Sequence, residues 1–195
     1  MSRPRVLCIA GSPRRGGNSD RLLAALVEGV AGAGGEPVRL VVSESGVQPC
    51  NGCNSCVRTG VCIVNDGMHA VYDALDSADA IAVASPVYFA SVPAGLKALY
   101  DRCQPYWGRR GHHAAAGAPK RPGCLLLTGG GGDPFGTGCA VTSTRSALAV
   151  AGFSIDEVIE AVGVDEPGDI ERFPDRLEQA GQAGEDLVAR ASAGR

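Results

Sequence analysis

The chain has 195 residues, enough for one domain with its own core, and 45% of them are hydrophobic, which excludes an intrinsically disordered protein. Its net charge of −3 comes without a basic stripe, which argues against nucleic acid as a partner. No apolar run approaches the ~18 residues of a membrane span, and the run at 6–10 is too short for a signal peptide. We therefore expect a single domain over residues 1–195 in a cytoplasmic protein without a membrane partner.

Five apolar segments predict the strands of a parallel sheet, because they alternate little and so suit a sheet buried on both faces. These segments are Arg5–Ala10, Pro37–Val42, Ala80–Ser85, Arg121–Leu127 and Ser154–Val162. Helical patterns lie between and after them: the first runs from Ser19 to Gly34, and the others are Met68–Ser77, the residues after Pro93, Ala140–Ala151 and Asp175–Ala191. The alternation predicts a doubly wound α/β sheet, and we expect the Gly- and Ala-rich segment 108–119 to be a surface loop.

The segment 11–19, with the sequence GSPRRGGNS, connects the first strand to the first helix at the sheet edge where open α/β folds bind ligands. Its glycines let backbone N–H groups point inward, and the helix N-terminus favours an anion. Ser12, Asn18 and Ser19 add donors, and Arg14 adds a positive charge. The loop lacks the patterns for ATP, GTP or a dinucleotide, so it suits a phosphate monoester such as the tail of FMN. The alternative is a glycine-rich turn that binds no ligand.

Three motifs occur in an order that resembles the NAD(P)H-dependent FMN reductase and iron–sulfur flavoprotein superfamily. They are the segment 11–19, the pair SPVYF (85–89) and VPAGLK (92–97), and the cysteine-rich stretch 50–68. The resemblance implies an FMN-dependent oxidoreductase with a flavodoxin-like fold, that is, a doubly wound five-stranded parallel sheet of order 2-1-3-4-5 with helices on both faces. The family usually has two aspartates before the methionine at position 68, whereas here Gly67 replaces one of them, which we expect to loosen the next helix start.

Two further loops follow neighbouring strands at the same sheet edge. By the resemblance, the residues that contact the isoalloxazine ring are Pro86, Val87, Tyr88 and Phe89. The loop after the fourth strand opens a run of glycines with Thr128, Gly129 and Gly130. Such a run allows the backbone to approach the pyrimidine end of the ring. Alternatively, the aromatic residues plug the end of the sheet and the glycine run is a flexible loop.

Four of the eight cysteines lie within 13 residues, at Cys50, Cys53, Cys56 and Cys62. The first three spacings resemble a ferredoxin-type run for a [4Fe–4S] cluster. By the resemblance, such a cluster would pass single electrons to and from FMN. Reduced thiols without metal are an alternative, and zinc is a third, although the spacing lacks the long gap between two Cys-x₂-Cys pairs.

The sequence thus predicts an enzyme that exchanges hydride or electrons between FMN and NAD(P)H or a small redox partner. NAD(P)H would bind transiently over the flavin, because the chain has no second dinucleotide fingerprint. A flavodoxin-like electron carrier and a dehydrogenase of a ring intermediate in secondary metabolism are the alternatives.

We also expect a homodimer or homotetramer. The resemblance suggests it, and Tyr106 and Trp107 precede a segment that has little core of its own. The charged residues of that segment are Arg109, Arg110, His112 and His113. They form a solvated loop or a subunit contact, or they bind a nicotinamide phosphate or an acidic substrate.

Overall fold

A computed structural model describes residues 3–113 and 119–194, and within residues 110–113 only the backbone. Its strands are β1 (Arg5–Ala10), β2 (Glu36–Val41), β3 (Ala80–Pro86), β4 (Arg121–Gly129) and β5 (Phe153–Val162). All neighbouring strands pair in parallel, in the order β2-β1-β3-β4-β5. The predicted five-stranded sheet and its order are confirmed.

Seven α-helices lie in the described part of the chain: α1 (Asn18–Gly32), α2 (Ser55–Thr59), α3 (Met68–Ser77), α4 (Ala94–Asp101), α5 (Gln104–His113), α6 (Gly138–Val150) and α7 (Pro174–Ala193). Five of them match the predicted patterns, while α2 and α5 were not predicted. None of these helices combines the length and the apolar content that a membrane span requires.

Both faces of the sheet are covered, as the apolar strands predicted. Along β1, Leu7 and Ile9 face the side covered by α3, α4 and α6. Val6, Cys8 and Ala10 face the side covered by α1 and α7. Because neither face of β1 meets water, its sequence shows no alternation of apolar and polar residues.

The surface loop predicted over 108–119 is wrong for residues 108–113, which belong to α5. Residues 114–118 lie outside the described residues. Glycine is a poor helix former, so Gly108 and Gly111 led the sequence analysis to predict a loop where the structure has a helix. The structure explains Gly108, because a Cβ there would lie 2.7 Å from the Cys56 carbonyl oxygen. Only glycine lets α5 approach the cysteine loop so closely.

Glycines also set the contact between α1 and α7. A Cβ at Gly29 would lie 2.0 Å from the Gly181 carbonyl oxygen, and one at Gly184 would lie 2.2 Å from the Leu26 carbonyl oxygen. The two backbones therefore touch without side chains between them. Gly184 disfavours a helix by its intrinsic propensity, yet it is the residue that lets α7 pack closely against α1.

We expect Gly184→Ala to lower the free energy of unfolding by about 1–3 kcal/mol, because the added methyl group forces α1 and α7 apart. Gly32→Ala is the matched control, since a Cβ at this end of α1 meets nothing within 4 Å. The control should leave stability unchanged or raise it by up to ~1 kcal/mol. Denaturant unfolding followed by circular dichroism measures both variants, and equal free energies would contradict the close packing.

Candidate functional site

Three loops meet at the edge where β1, β3 and β4 end. Backbone hydrogen bonds join them: Gly11 N donates to Ala84 O and Val87 N donates to Thr128 O, each at 2.8 Å. The three loops span residues 11–17, 87–93 and 130–137. Parallel pairing thus brings together the segments that we predicted to hold a phosphate and a ring.

The first loop keeps a hydroxyl and a cation beside its backbone. Ser12 is buried, and its Oγ accepts a hydrogen bond from Arg14 N at 3.0 Å, which leaves the hydroxyl hydrogen for a ligand. Arg15 pairs with Glu44 at 2.5 Å, whereas Arg14 is exposed beside the loop. Ser12 and both arginines line a cavity of about 220 Å³. Ser19 is buried in the first turn of α1.

Asn18 is engaged by the protein itself. Its Nδ2 donates to Glu166 O at 2.9 Å, and its Oδ1 accepts from Gly168 N at 3.0 Å and from Ile170 N at 3.3 Å. These bonds hold the turn after β5 against the start of α1. One amide hydrogen of Asn18 remains for a phosphate. Its role as a phosphate donor stays a prediction, and its structural role was not apparent from the sequence.

The predicted ring loop ends in a tight turn with unusual backbone angles. Tyr88 and Ser91 exchange two backbone hydrogen bonds, at 2.8 and 3.0 Å. Between them Phe89 has φ +50° and Ala90 has φ +60°, a region that non-glycine residues rarely adopt. The turn leaves Phe89 99% exposed. Pro86 ends β3, and Val87 packs against the core, so Tyr88 and Phe89 alone project from this loop.

The third loop is held at its start, and its first three residues, 130–132, are glycines. Thr128 is buried, and Gly129 O accepts hydrogen bonds from Gly163 N at 2.8 Å and Val164 N at 3.0 Å. Gly130 lies against Asp165, since a Cβ there would be 3.2 Å from the Asp165 carboxyl carbon. The approach of this backbone to the pyrimidine end of a flavin ring stays a prediction.

The four clustered cysteines line one cavity of about 320 Å³. Its opposite wall comes from the α4–α5 junction, through Asp101, Arg102, Gln104 and Pro105. None of the residues in the three loops above lines this cavity. The sequence predicted that the cysteines gather, but it did not predict that this junction faces them.

The sulfur groups influence one another across the cavity. Burial raises the pKa of the Cys56 thiol, and the charges of Cys62, Cys50 and Cys53 raise it further. Within residues 3–113 and 119–194, no three His, Cys, Asp or Glu side chains approach closely enough to hold a metal ion. The cysteine loop is thus a set of free thiols around a cavity.

A buried ion pair closes the cysteine loop. The side chain of Arg102 is 1% exposed and forms two hydrogen bonds with the Asp66 carboxylate, at 2.7 and 2.9 Å. Its Nη1 also donates to Gln48 O at 2.8 Å, and its Nη2 donates to Val64 O at 3.4 Å. Gln48 precedes the first cysteine and Val64 follows the last, so one guanidinium holds both ends of the loop.

Asp66 adds backbone contacts to the same closure. Its carboxylate accepts from Gln48 N at 2.8 Å and from Met68 N, the first residue of α3, at 3.0 Å. The helix begins at Met68 despite the replacement at Gly67. A Cβ at Gly67 would lie 1.5 Å from the Ser45 carbonyl oxygen, which excludes an aspartate here without a shift of the backbone.

The two aromatic residues that supported the predicted homodimer or homotetramer differ in exposure. Tyr106 is 8% exposed and its hydroxyl donates to Asp76 at 2.8 Å, so it belongs to the core. Trp107 is 62% exposed. Arg109 donates from Nε to Gly60 O at 2.9 Å and supports the cysteine loop. The side chains of Arg110, His112 and His113 lie outside the described part of the structure.

A family model described as NADPH-dependent FMN reductase matches residues 4–160. The chain belongs to this family. Membership implies an oxidoreductase that uses FMN, which agrees with the motifs at 11–19 and 85–97.

Iron–sulfur flavoproteins are among the relatives of this NADPH-dependent FMN reductase family member. One from Methanosarcina thermophila is 38% identical over 98 residues, which are 50% of this chain and 51% of that protein. One from Archaeoglobus fulgidus is 32% identical over 130 residues, which are 67% of this chain and 57% of that protein. The chain thus spans little more than half the length of these relatives.

Solved structures of the same fold confirm the flavodoxin-like architecture. An NAD(P)H:quinone oxidoreductase from Methanothermobacter marburgensis has a TM-score of 0.69 at 22% identity, covering 95% of this chain and 98% of that one. An FMN-dependent NADH-azoreductase from Bacillus anthracis, solved in complex with FMN, has a TM-score of 0.65 at 12% identity, covering 94% and 99%. At these identities the likeness concerns the fold.

We expect Asp66→Asn to lower the free energy of unfolding by about 3–5 kcal/mol, because it leaves the buried Arg102 charge without a carboxylate. The hydrogen bonds from Arg102 hold the pKa of Asp66 well below its usual value, although burial opposes the shift. A carboxyl group whose pKa is lower in the folded state stabilises the fold when the pH is above its unfolded-state pKa of about 4. This stabilisation is lost progressively as the pH falls below that value.

Denaturant unfolding between pH 7 and pH 3 measures this effect. The difference between wild type and Asp66→Asn should shrink below about pH 4. Glu171→Gln is the control, since it removes the partner of Arg21 in an exposed pair and should cost at most ~1 kcal/mol. A difference that stays constant with pH would contradict the role of the ion pair.

Proposed function

We propose that this chain is an FMN-dependent oxidoreductase that transfers hydride or electrons between NAD(P)H and a small acceptor or redox partner. The observation that carries the proposal is the meeting of three loops at the ends of β1, β3 and β4. Each loop has the chemistry of one part of FMN, and the family model implies the same cofactor. Bound FMN would supply the hydride and electron chemistry, and the chain's residues would bind and orient it.

The phosphate of FMN would lie against the first loop. Backbone N–H groups, the Ser12 hydroxyl and the Arg14 cation are the available donors there. Asn18 would contribute its remaining amide hydrogen, and Ser19 the start of α1. These groups hold the phosphate but take no part in the redox reaction.

The ring would lie between the second and third loops. Pro86 and Val87 supply backbone at the end of β3, and Tyr88 or Phe89 supplies an aromatic face. Thr128, Gly129 and Gly130 bring backbone to the opposite side, where donors near the ring would stabilise negative charge on the reduced flavin.

We further propose that Cys50, Cys53, Cys56 and Cys62 bind a [4Fe–4S] cluster, which would supply single-electron transfer. The donor set fits, because the four thiols that a [4Fe–4S] cluster requires line one cavity. The relatives named iron–sulfur flavoproteins support the assignment. The two alternatives, reduced thiols without metal and a zinc site, are outcomes of the test below.

NAD(P)H and further copies of this chain are the partners that we propose for the enzyme. NAD(P)H would bind transiently over the flavin, since all five strands serve one domain. A homodimer or homotetramer stays a prediction that now depends on Trp107 and not on Tyr106. A cytoplasmic location would keep the thiols reduced and available to iron. Neither nucleic acid nor a membrane is a proposed partner.

We expect Ser12→Ala to weaken FMN binding roughly 10- to 150-fold, the value of a hydrogen bond of about 1.5–3 kcal/mol to a charged group. Asn18→Ala would confound the test, since it also removes the bonds to the turn after β5. Ser77→Ala is the matched control, because this hydroxyl bonds only to Ala74 O, at the far end of α3.

Fluorescence titration of FMN into flavin-free protein gives the dissociation constants. Unchanged affinity in Ser12→Ala would contradict the phosphate assignment. NADPH oxidation by the FMN-loaded protein then tests the reaction. A protein that holds FMN but does not oxidise NADPH or NADH would be an electron carrier or a dehydrogenase of another substrate.

We expect about four irons and four sulfides per chain after anaerobic reconstitution, and loss of both in Cys53→Ser. Cys139→Ser is the control, since Cys139 is an exposed cysteine on α6 outside the cavity. Metal analysis and visible absorption give the content. Iron-free protein that still oxidises NADPH would leave FMN as the only redox centre, and stoichiometric zinc would replace the cluster with a structural metal.

A further inference from the structure

One buried polar atom of Arg102, a residue that lines the cysteine cavity, has no acceptor in the described part of the chain. Within the described residues, Arg102 Nε is buried and forms no hydrogen bond, although both Nη atoms bond to Asp66 and to loop carbonyls. A buried donor without an acceptor costs about 1–3 kcal/mol, and more when it is charged. Such a group in a fully buried side chain therefore requires an explanation.

The position of Arg102 beside the cysteines explains why its Nε has no acceptor among the described residues of the protein. The residue lines the same cavity as the four cysteines. The hydrogen bonds that Arg102 donates to Asp66 raise the pKa of Arg102, burial opposes this shift, and the charge of the nearby Cys62 adds to it. Asp66, Gln48 and Val64 already receive the Nη hydrogens, so the Nε hydrogen is the one left for an acceptor in the cavity. Thiolates and sulfides are the acceptors that this cavity would hold.

We propose that Arg102 Nε–H donates a hydrogen bond to a sulfur atom of the [4Fe–4S] cluster or of its thiolate ligands, and that this bond raises the reduction potential of the cluster. The inference rests on the cluster assignment above. One-electron reduction adds one negative charge to the cluster, and a donor aimed at its sulfur atoms stabilises that added charge. Arg102 is then a positioning residue that both closes the loop and favours the reduced state.

Arg102→Lys tests the bond while keeping a positive charge beside Asp66. We expect the cluster of this variant to bind its electron at least tenfold more weakly, a shift to lower potential of about 59 mV for a one-electron couple. Arg109→Lys is the matched control, because Arg109 supports the same loop through Gly60 O and does not line the cavity. Its potential should equal that of the wild type in a redox titration followed by electron paramagnetic resonance.

A second measurement uses the wild type and does not depend on how well a variant folds. Protein labelled with ¹⁵N-arginine and reduced with dithionite should show hyperfine coupling between the cluster and one arginine nitrogen in pulsed electron paramagnetic resonance. The coupling should persist in labelled Arg109→Lys and disappear in Arg102→Lys. If Arg102→Lys fails to assemble a cluster, the wild-type and Arg109→Lys spectra decide.

The possible failures are distinguishable. A wild type that takes up no iron and sulfide overturns the cluster assignment, and this inference with it. A wild type that assembles the cluster but shows no arginine coupling, with an unchanged potential in Arg102→Lys, overturns the inference alone. In that case Arg102 would serve only to close the loop, and its replacement would change stability but not potential.

Discussion

Parallel pairing of β1, β3 and β4 is the constraint on which the candidate flavin site depends. Parallel strands all end at one edge of the sheet, and the bonds from Gly11 to Ala84 and from Val87 to Thr128 extend the pairing to the first loop residues. The loops are therefore positioned by the backbone of the sheet and not by their own side chains. Small residues suffice there, because the groups presented to a ligand are mostly backbone N–H groups.

The turn at Phe89 and Ala90 shows how firmly this edge is held. A non-glycine residue with positive φ costs roughly 1–2 kcal/mol. The turn persists because Tyr88 and Ser91 clamp it, and because Ala140 N donates to Ala90 O at 3.0 Å from the start of α6. Backbone strain of this kind is typical of ligand-binding segments, where the surroundings impose the conformation. It gives Phe89 a position that an unstrained hairpin would not provide.

Periodicity predicted the sheet, because burial on both faces leaves a continuous apolar run in each strand. The loops after β1, β3 and β4 were also predictable, since their place follows from the order of strands. Arg102 was not, because a charged residue in a sequence gives no sign that it will be buried and paired with Asp66, 36 residues away. Asn18 is a polar residue whose position suits either a phosphate ligand or a hydrogen bond to a turn, and the sequence does not distinguish the two. Gly108 was interpreted as a helix breaker, but in the structure it is where α5 contacts the backbone of the cysteine loop.

The cysteine loop has little apolar core, since Val57, Val61 and Ile63 are exposed and only Cys56 among its cysteines is buried. Hydrogen bonds from neighbouring helices hold it instead, donated by Arg102 at the end of α4 and by Arg109 on α5. The start of α4 follows the predicted ring loop, and its end reaches the cysteine cavity. From Ala94 to Arg102 a helical rise of 1.5 Å per residue gives about 12 Å. One rigid helix thus links the two candidate redox sites, and the fold, not the mobility of either loop, determines their separation within a chain.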